Sequence, residues 1–200
     1  MAVVKTALIV FVKNTGYEPV KSRIGHEVGS HMADAIYGEL LQASLQLCSH
    51  LSHDIHVYYS HHIDYNDAWT GIAKDRHLQS QDPDLGRRMK AAFEDLLPLY
   101  HKVAIIGSDC PYLSPALIDE AFAALDRVDV VLGPSNDGGY YLLGMRSMTN
   151  TLFEDISWST GEVLGQSLDK LWLAGKSFAK LDYLDDIDVY VDYERWKNSE

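Results

Sequence analysis

A chain of 200 residues with 46% apolar and 23% charged side chains suits one domain spanning 1–200, with a core large enough to need neither disulfides nor structural metal. A formal net charge of −12 argues against a general nucleic-acid surface, and no apolar run reaches the roughly eighteen residues of a membrane helix. Cys48 and Cys110 are too few for a disulfide framework and Met1-Ala2-Val3-Val4-Lys5 lacks signal-peptide architecture, so a reduced, cytoplasmic setting is expected.

In chain order, residues 5–12 read as a buried strand and residues 13–25 as a polar loop with Gly16, Pro19, Lys21, Arg23 and Gly25. Residues 28–51 place Met32, Ile36, Leu40, Leu41, Leu45, Leu47 and Leu51 at helical spacing, and residues 54–60 read as a second strand. Residues 61–75 are irregular, 76–80 fit a short strand, and a helix over 84–97 buries Leu85, Met89, Ala92, Phe93 and Leu96. A strand at 103–107 follows. Ser114-Pro115 supplies an N-cap and a first-turn proline for a helix to about Asp126. Strands at 128–133 and 140–145 come next. Ser159-Thr160-Gly161-Glu162 fits a capping box opening a helix that ends near Gly175; residues 177–181 fit a strand, and a short helix closes the chain. This alternation predicts an α/β fold, a three-layer sandwich around a mostly parallel sheet.

The chemistry concentrates where apolar runs break. Val103-Ala104-Ile105-Ile106 ends in Gly107-Ser108-Asp109-Cys110-Pro111, which puts Asp109 just past the carboxyl end of a strand, where open α/β sheets hold ligands. Val130-Val131-Leu132 breaks into Gly133-Pro134-Ser135-Asn136-Asp137-Gly138-Gly139-Tyr140-Tyr141, and Asp185-Asp186-Ile187-Asp188 follows near the end of the chain. Asp186 and Asp188 are two apart, so in extended backbone both carboxylates face one side. Carboxylates at strand ends beside glycine-rich loops suit a divalent cation carrying a phosphorylated substrate. By position alone, Asp109 equally fits a turn cap, the Asp-Gly pair a tight turn, and the late aspartates a solvated acidic turn.

Five blocks in order tip this balance: Phe11-Val12-Lys13 through Lys21-Ser22-Arg23; Asp84 through Met89; Gly107 through Pro111; Gly133-Pro134 through Tyr141; and Asp186-Ile187-Asp188. Over most of its length the chain resembles the small nucleotide-diphospho-sugar transferase-like proteins of the DUF2064 type. These have the Rossmann-like GT-A fold and are related to the guanylyltransferases of molybdopterin and phospholactate. The resemblance implies Mg²⁺ or Mn²⁺ on Asp109, Asp186 and Asp188, with Asp109 and Asp137 in catalytic roles. Lys13, Gly16, Lys21 and Arg23 would hold the nucleotide phosphates, with Arg23 able to bind bidentately. Arg88, with Arg87 beside it at a helix start whose amides favour anions, would meet base, ribose or acceptor. Gly138, Gly139 and Tyr140 would line the acceptor or sugar pocket, bordered by Trp158-Ser159-Thr160.

The implied activity is metal-dependent glycosyl or nucleotidyl transfer from a nucleotide-sugar or nucleoside triphosphate donor to a small acceptor. The alternative is a nucleotide-binding or regulatory protein that keeps the fold without turnover. His50, His53 and His56 cross a helix end into a strand, so they and His61-His62 are expected at the surface rather than on zinc. Cys110 is expected as a small buried thiol. Tyr183, Tyr190, Tyr193 and Trp196 fit either core or a homodimer interface.

Overall fold

The computed structural model describes residues 4–199. Among them, seven strands run as β1 (Thr6–Val12), β2 (Asp54–Tyr59), β3 (Asp75–Leu78), β4 (Lys102–Ile106), β5 (Val130–Pro134), β6 (Tyr140–Met145) and β7 (Phe178–Lys180). They form one sheet in the order β3-β2-β1-β4-β6-β5-β7, parallel except for β6, which is antiparallel to both neighbours. Six helices complete the layers: α1 (Ser22–Val28), α2 (Ser30–Ser49), α3 (Leu85–Leu96), α4 (Pro115–Ala124), α5 (Val163–Leu173) and α6 (Tyr190–Lys197). The expected three-layer α/β/α architecture is present.

Strand alternation decides which helix covers which face. Leu8, Val10 and Val12 point toward Leu45 and Cys48 of α2 and Ile118 and Phe122 of α4, whereas Ala7 and Ile9 point toward Met89, Phe93 and Leu96 of α3 and Leu164 and Leu171 of α5. A third cluster joins Ile24 of α1, Ile36 and Leu40 of α2, and Ile187 and Trp196 at the end of the chain. Tyr190 and Tyr193 pack on that cluster while Tyr183 stays exposed, so three of the four C-terminal aromatics serve the interior. This cluster brings the last acidic segment back over the strand ends.

Several expectations need correction. The loop after β1 ends at Lys21, and Ser22–Val28 is helical; with one buried residue, Ile24, α1 shows too little periodicity to be read locally. Gly29, at φ 92°, breaks the chain between α1 and α2, so the long helix starts at Ser30 and leaves Met32 exposed. Ser114 caps α4 as expected, accepting from the Leu117 N–H, while Asp84, read as the first residue of its helix, is the N-cap of α3 and accepts from the Arg87 N–H. The capping box at 159–162 does not form. Ser159 is left-handed (φ 63°), Thr160 Oγ1 donates to the Ser157 carbonyl, and α5 starts after Glu162 without a side-chain cap. A 3-10 turn at Asn150–Phe153, whose Leu152 and Phe153 plug the α3–α5 side, was not anticipated.

Candidate active site

The carboxyl ends of β1 and β4 meet the start of the antiparallel β6 in the middle of the sheet, and a cleft of about 560 Å³ opens there. Past β4 the chain turns so tightly that a Cβ on Gly107 would lie 2.6 Å from Asp109 Oδ1. The Asp109 carbonyl accepts from the Ile187 N–H (2.9 Å), and the Leu184 N–H donates to the Pro134 carbonyl (3.2 Å). Tyr141 Oη donates to the Asp182 carbonyl (2.9 Å) and Asn136 Nδ2 to Asp185 Oδ1 (2.7 Å). These bonds stitch the C-terminal segment beside β4 and β5, which brings Asp186 and Asp188 to Asp109.

The carboxylates are answered from the loop after β1. Lys21 Nζ lies 3.2 Å from Asp109 Oδ2 and 3.7 Å from Asp188 Oδ1, and Arg23 reaches Asp188 Oδ2 at 3.2 Å. The Lys21 side chain is only 8% exposed, and its backbone holds φ 44°, a region unusual for a side chain of this size. Asp186 differs. Its Oδ1 is buried without a hydrogen-bond partner, and burial, reinforced by the charge of Asp109, pushes its carboxyl up to about 7. Among the described residues, no three His, Cys, Asp or Glu side chains converge as a ready-made metal cage.

The opposite end of the cleft is built from β3 and α3. Gln79, buried just past β3, donates through Nε2 to the carbonyls of Val12 (3.3 Å) and Tyr58 (3.0 Å) and accepts from Arg88 at 3.3 Å. Arg88 Nε is buried without a partner between apolar walls that include Leu85 and Met89. Of the helix-start amides expected to favour anions, that of Arg87 is taken by the Asp84 carboxylate (2.8 Å), and the Arg87 side chain turns away to Asp82 (3.4 Å).

Lys13, Lys21, Arg23, Arg88, Asp109, Asp137, Tyr140, Asp186 and Asp188 all line the cleft, and Gly139 borders an adjoining recess. Gly16 and Gly138 line neither. Gly16 (φ 81°) sits in an exposed turn; at Gly138 (φ 90°) a Cβ would collide with the Gly161 carbonyl. The Gly138 carbonyl accepts from the Leu164 N–H (2.9 Å), locking this loop to the start of α5. Asp137 is exposed, with Oδ1 accepting from the Gly139 N–H at 2.8 Å.

Two organising residues escaped the sequence reading. Tyr37 lies within the apolar stripe of α2, yet its Oη accepts from the Lys13 N–H (2.7 Å) and bonds Ser108 Oγ (3.0 Å), joining the loops after β1 and β4. Burial pushes that phenol up to about 12, so it stays protonated. Asn14 accepts through Oδ1 from the N–H groups of His61 (2.9 Å) and His62 (3.2 Å), fixing the loops after β1 and β2 together. A hydroxyl inside a helical stripe and an Asn straight after a strand were the available signals. Neither reports its distant partner.

Cys110 is the buried thiol expected, pushed up by burial and then by Asp186 and Asp109, and so suited to packing rather than attack. His56 departs from the expected surface position. It is buried, bonded to His77 (3.0 Å) and Tyr100 (2.9 Å), and burial lowers its pKa to about 4. His53 is likewise largely covered, between Thr6 (2.7 Å) and Asp119 (2.9 Å).

A family model described as an uncharacterized protein conserved in bacteria (DUF2064) matches residues 41–160. A solved structure from Desulfovibrio desulfuricans G20, described as that of a nucleotide-diphospho-sugar transferase by assignment, is 30% identical; the match covers 99% of this chain and 90% of that one, with a TM-score of 0.84. A CMP:2-keto-3-deoxy-manno-octonic acid synthetase complexed with CTP shares the fold at 11% identity, with 98% of both chains covered and a TM-score of 0.61. Rv0371c of Mycobacterium tuberculosis H37Rv, solved as a manganese complex, shares it at 12% identity, with 99% of this chain and 100% of that one covered and a TM-score of 0.52. No curated protein matches the chain.

Proposed function

The chain belongs to the DUF2064 family, and on that premise we propose that it is a metal-dependent transferase using a nucleotide-sugar or nucleoside triphosphate donor and a small acceptor. The observation that carries this reading is that Asp109, Asp186 and Asp188 line one strand-end cleft in which Lys21 pairs with Asp109 and Asp188 and Arg23 with Asp188. The donor set fits a hard divalent cation. Mg²⁺ and similar ions commonly take one or two carboxylates and complete their shell with phosphate oxygens and water, so a three-carboxylate cage is not required. The buried, unpartnered Asp186 Oδ1 supplies the unmet oxygen such an ion would use. Held by Asp109 and Asp186, with Asp188 beside them, Mg²⁺ or Mn²⁺ would neutralise charge on the leaving phosphate.

The chain's own residues do the rest. Lys21 and Arg23 exchange carboxylate partners for phosphate oxygens, and Lys13, paired with Glu18, adds a cation more exposed than Lys21. Arg88 meets acceptor atoms of the base or ribose with its unpaired Nε–H. In nucleotidyl transfer, an acceptor phosphate oxygen bonds the α-phosphorus as the bond to the β-phosphate oxygen breaks and pyrophosphate leaves. In glycosyl transfer, an acceptor hydroxyl oxygen bonds the anomeric carbon, the bond to the diphosphate breaks, and the hydroxyl proton passes to Asp137.

The test is a thermal-shift panel of nucleoside triphosphates and nucleotide-sugars with and without Mn²⁺ or Mg²⁺. At a hundred times Kd a ligand stabilises the fold by about 2.7 kcal/mol, which raises Tm by about 5–10 °C. Asp109→Ala should abolish the metal-dependent part of that shift while circular dichroism stays native. An unchanged metal-dependent shift in that variant would remove Asp109 from the metal site.

A further inference from the structure

The sheet ends at β7 with only β5 beside it. The Val130 N–H donates to the Ser177 carbonyl (3.1 Å) and the Leu181 N–H to the Leu132 carbonyl (2.9 Å). The alternation of a strand ladder then turns the N–H and C=O groups of Phe178 and Lys180 outward. Among the described residues, none of these four groups has a hydrogen-bond partner. We propose that β7 pairs with the β7 of a second copy, antiparallel about a twofold axis at Ala179, so that the two sheets continue as one.

Register, side chains and charge make this edge its own complement. About that axis Phe178 of one copy lies opposite Lys180 of the other, and the outward groups of the two strands meet as reciprocal N–H to C=O pairs. Ala179 and Leu181 pack on the α2–α4 side, so alternation turns Phe178 and Lys180 to the α5 side. Trp172 and Leu173, at the end of α5 just ahead of β7, are 76% and 75% exposed, an apolar pair of the kind that marks protein contacts. Tyr183, also exposed, lies past the other end of the strand with its ring 5.8 Å from Lys180 Nζ. Within one copy these groups sit at opposite ends of β7; the twofold axis brings Trp172 and Leu173 of one to Lys180 and Tyr183 of the other. Asp169, exposed one helical turn before Trp172 and Leu173, then answers the charge of that Lys180.

The opposite edge of the sheet is blunted. β3 reads Asp75-Arg76-His77-Leu78, and the Arg76 N–H is already taken by the Asp75 carboxylate (2.8 Å). Charges and local bonds of this kind keep an edge from pairing with another chain. β7 carries one charge, Lys180, and pairing supplies that ammonium with a ring and a carboxylate from the second copy. A second copy fits better than a foreign strand, because the free edge is short and the groups that would cover it lie on the same chain.

Sedimentation velocity from about 1 to 100 µM tests the pairing, and the unaltered chain should shift from monomer to dimer within that range. Trp172→Glu places a charge in the apolar contact twice per dimer and should raise the dissociation constant at least about tenfold. Lys180→Pro removes an outward N–H but none of the bonds to β5, and should abolish the dimer while circular dichroism stays native. Ala179→Cys sets two thiols on the axis, where facing residues have Cα atoms about 4.5 Å apart, within disulfide reach. Mild oxidation should join two such chains, whereas Phe178→Cys, off the axis, should not cross-link; the native Cys48 and Cys110 are buried and free. A chain that stays monomeric throughout overturns the self-pairing and leaves the edge to a strand of another protein. A dimer that survives Lys180→Pro and does not cross-link through Ala179→Cys uses another face, and overturns it as well.

Discussion

The two ends of the cleft handle charge in opposite ways. At the strand-end carboxylates, Lys21 and Arg23 already pair with Asp109 and Asp188, and a ligand there must exchange partners with the chain. At the Gln79–Arg88 end, a guanidinium is held by one neutral hydrogen bond with its Nε–H unanswered, and a ligand adds a partner without displacing one. Exchange makes affinity depend on competing ions, whereas addition makes it depend on shape and hydrogen bonding. A phosphate-bearing substrate spanning both ends would be gripped ionically at one and read at the other.

Lys21→Met should break this contrast most severely. Losing charge-assisted bonds to phosphate costs about 2–3 kcal/mol, or about 30- to 150-fold in affinity, for the nucleotide with the largest thermal shift. The same variant should bind Mn²⁺ alone more tightly, because the competing ammonium is gone; Mn²⁺ titration by electron paramagnetic resonance reads this directly. Weaker binding of Mn²⁺ alone would mean Lys21 organises the carboxylates rather than competing for them.

A buried network outside the cleft calibrates the stability side. Burial holds His56 neutral down to about pH 4, whereas in the unfolded chain it takes up a proton near its ordinary value. The unfolded state therefore binds the extra proton below pH 6.5, so this contribution to stability falls with pH and levels off below about 4. By pH 5 it has removed about 2 kcal/mol, measurable by urea unfolding at pH 7 and pH 5. A His56→Gln variant should lose that part of the slope.

Arg88→Met sharpens the opposite end with the smallest effect. Nucleotide affinity should drop about tenfold, the worth of one hydrogen bond to a charged donor, while Tm moves by less than about 2 °C. A large fall in Tm would recast Arg88 as a prop for Gln79 and the loop after β3.

Much of the framework was legible because its causes are local. The unbroken apolar run Ala7 through Val12 marks β1 as a buried strand, the apolar spacing of Met89, Phe93 and Leu96 marks α3, and Asp84 and Ser114-Pro115 mark helix starts through bonds spanning three residues. Signals failed where packing overrode them. Ser159-Thr160-Gly161-Glu162 has capping-box composition, yet the contacts of Gly138 with Gly161 and Leu164 draw that turn elsewhere. The short α1 helix, with Gly25 inside it, depends on its packing against α2.

The site residues divide along the same line. Residue types placed just past apolar strands single out Asp109 and the Asp137 loop as candidates, because a strand's end is a local event, and the five blocks in order tip that choice. That Lys21 sits between Asp109 and Asp188, that Tyr37 joins Lys13 to Ser108, and that Gly86 leaves room for Trp158 are decided only in three dimensions. Each such contact joins residues far apart along the chain, and no periodicity or capping rule, acting over a few residues, reaches that far. Sheet order and the packing of the C-terminal segment onto α1 and α2 set those distances.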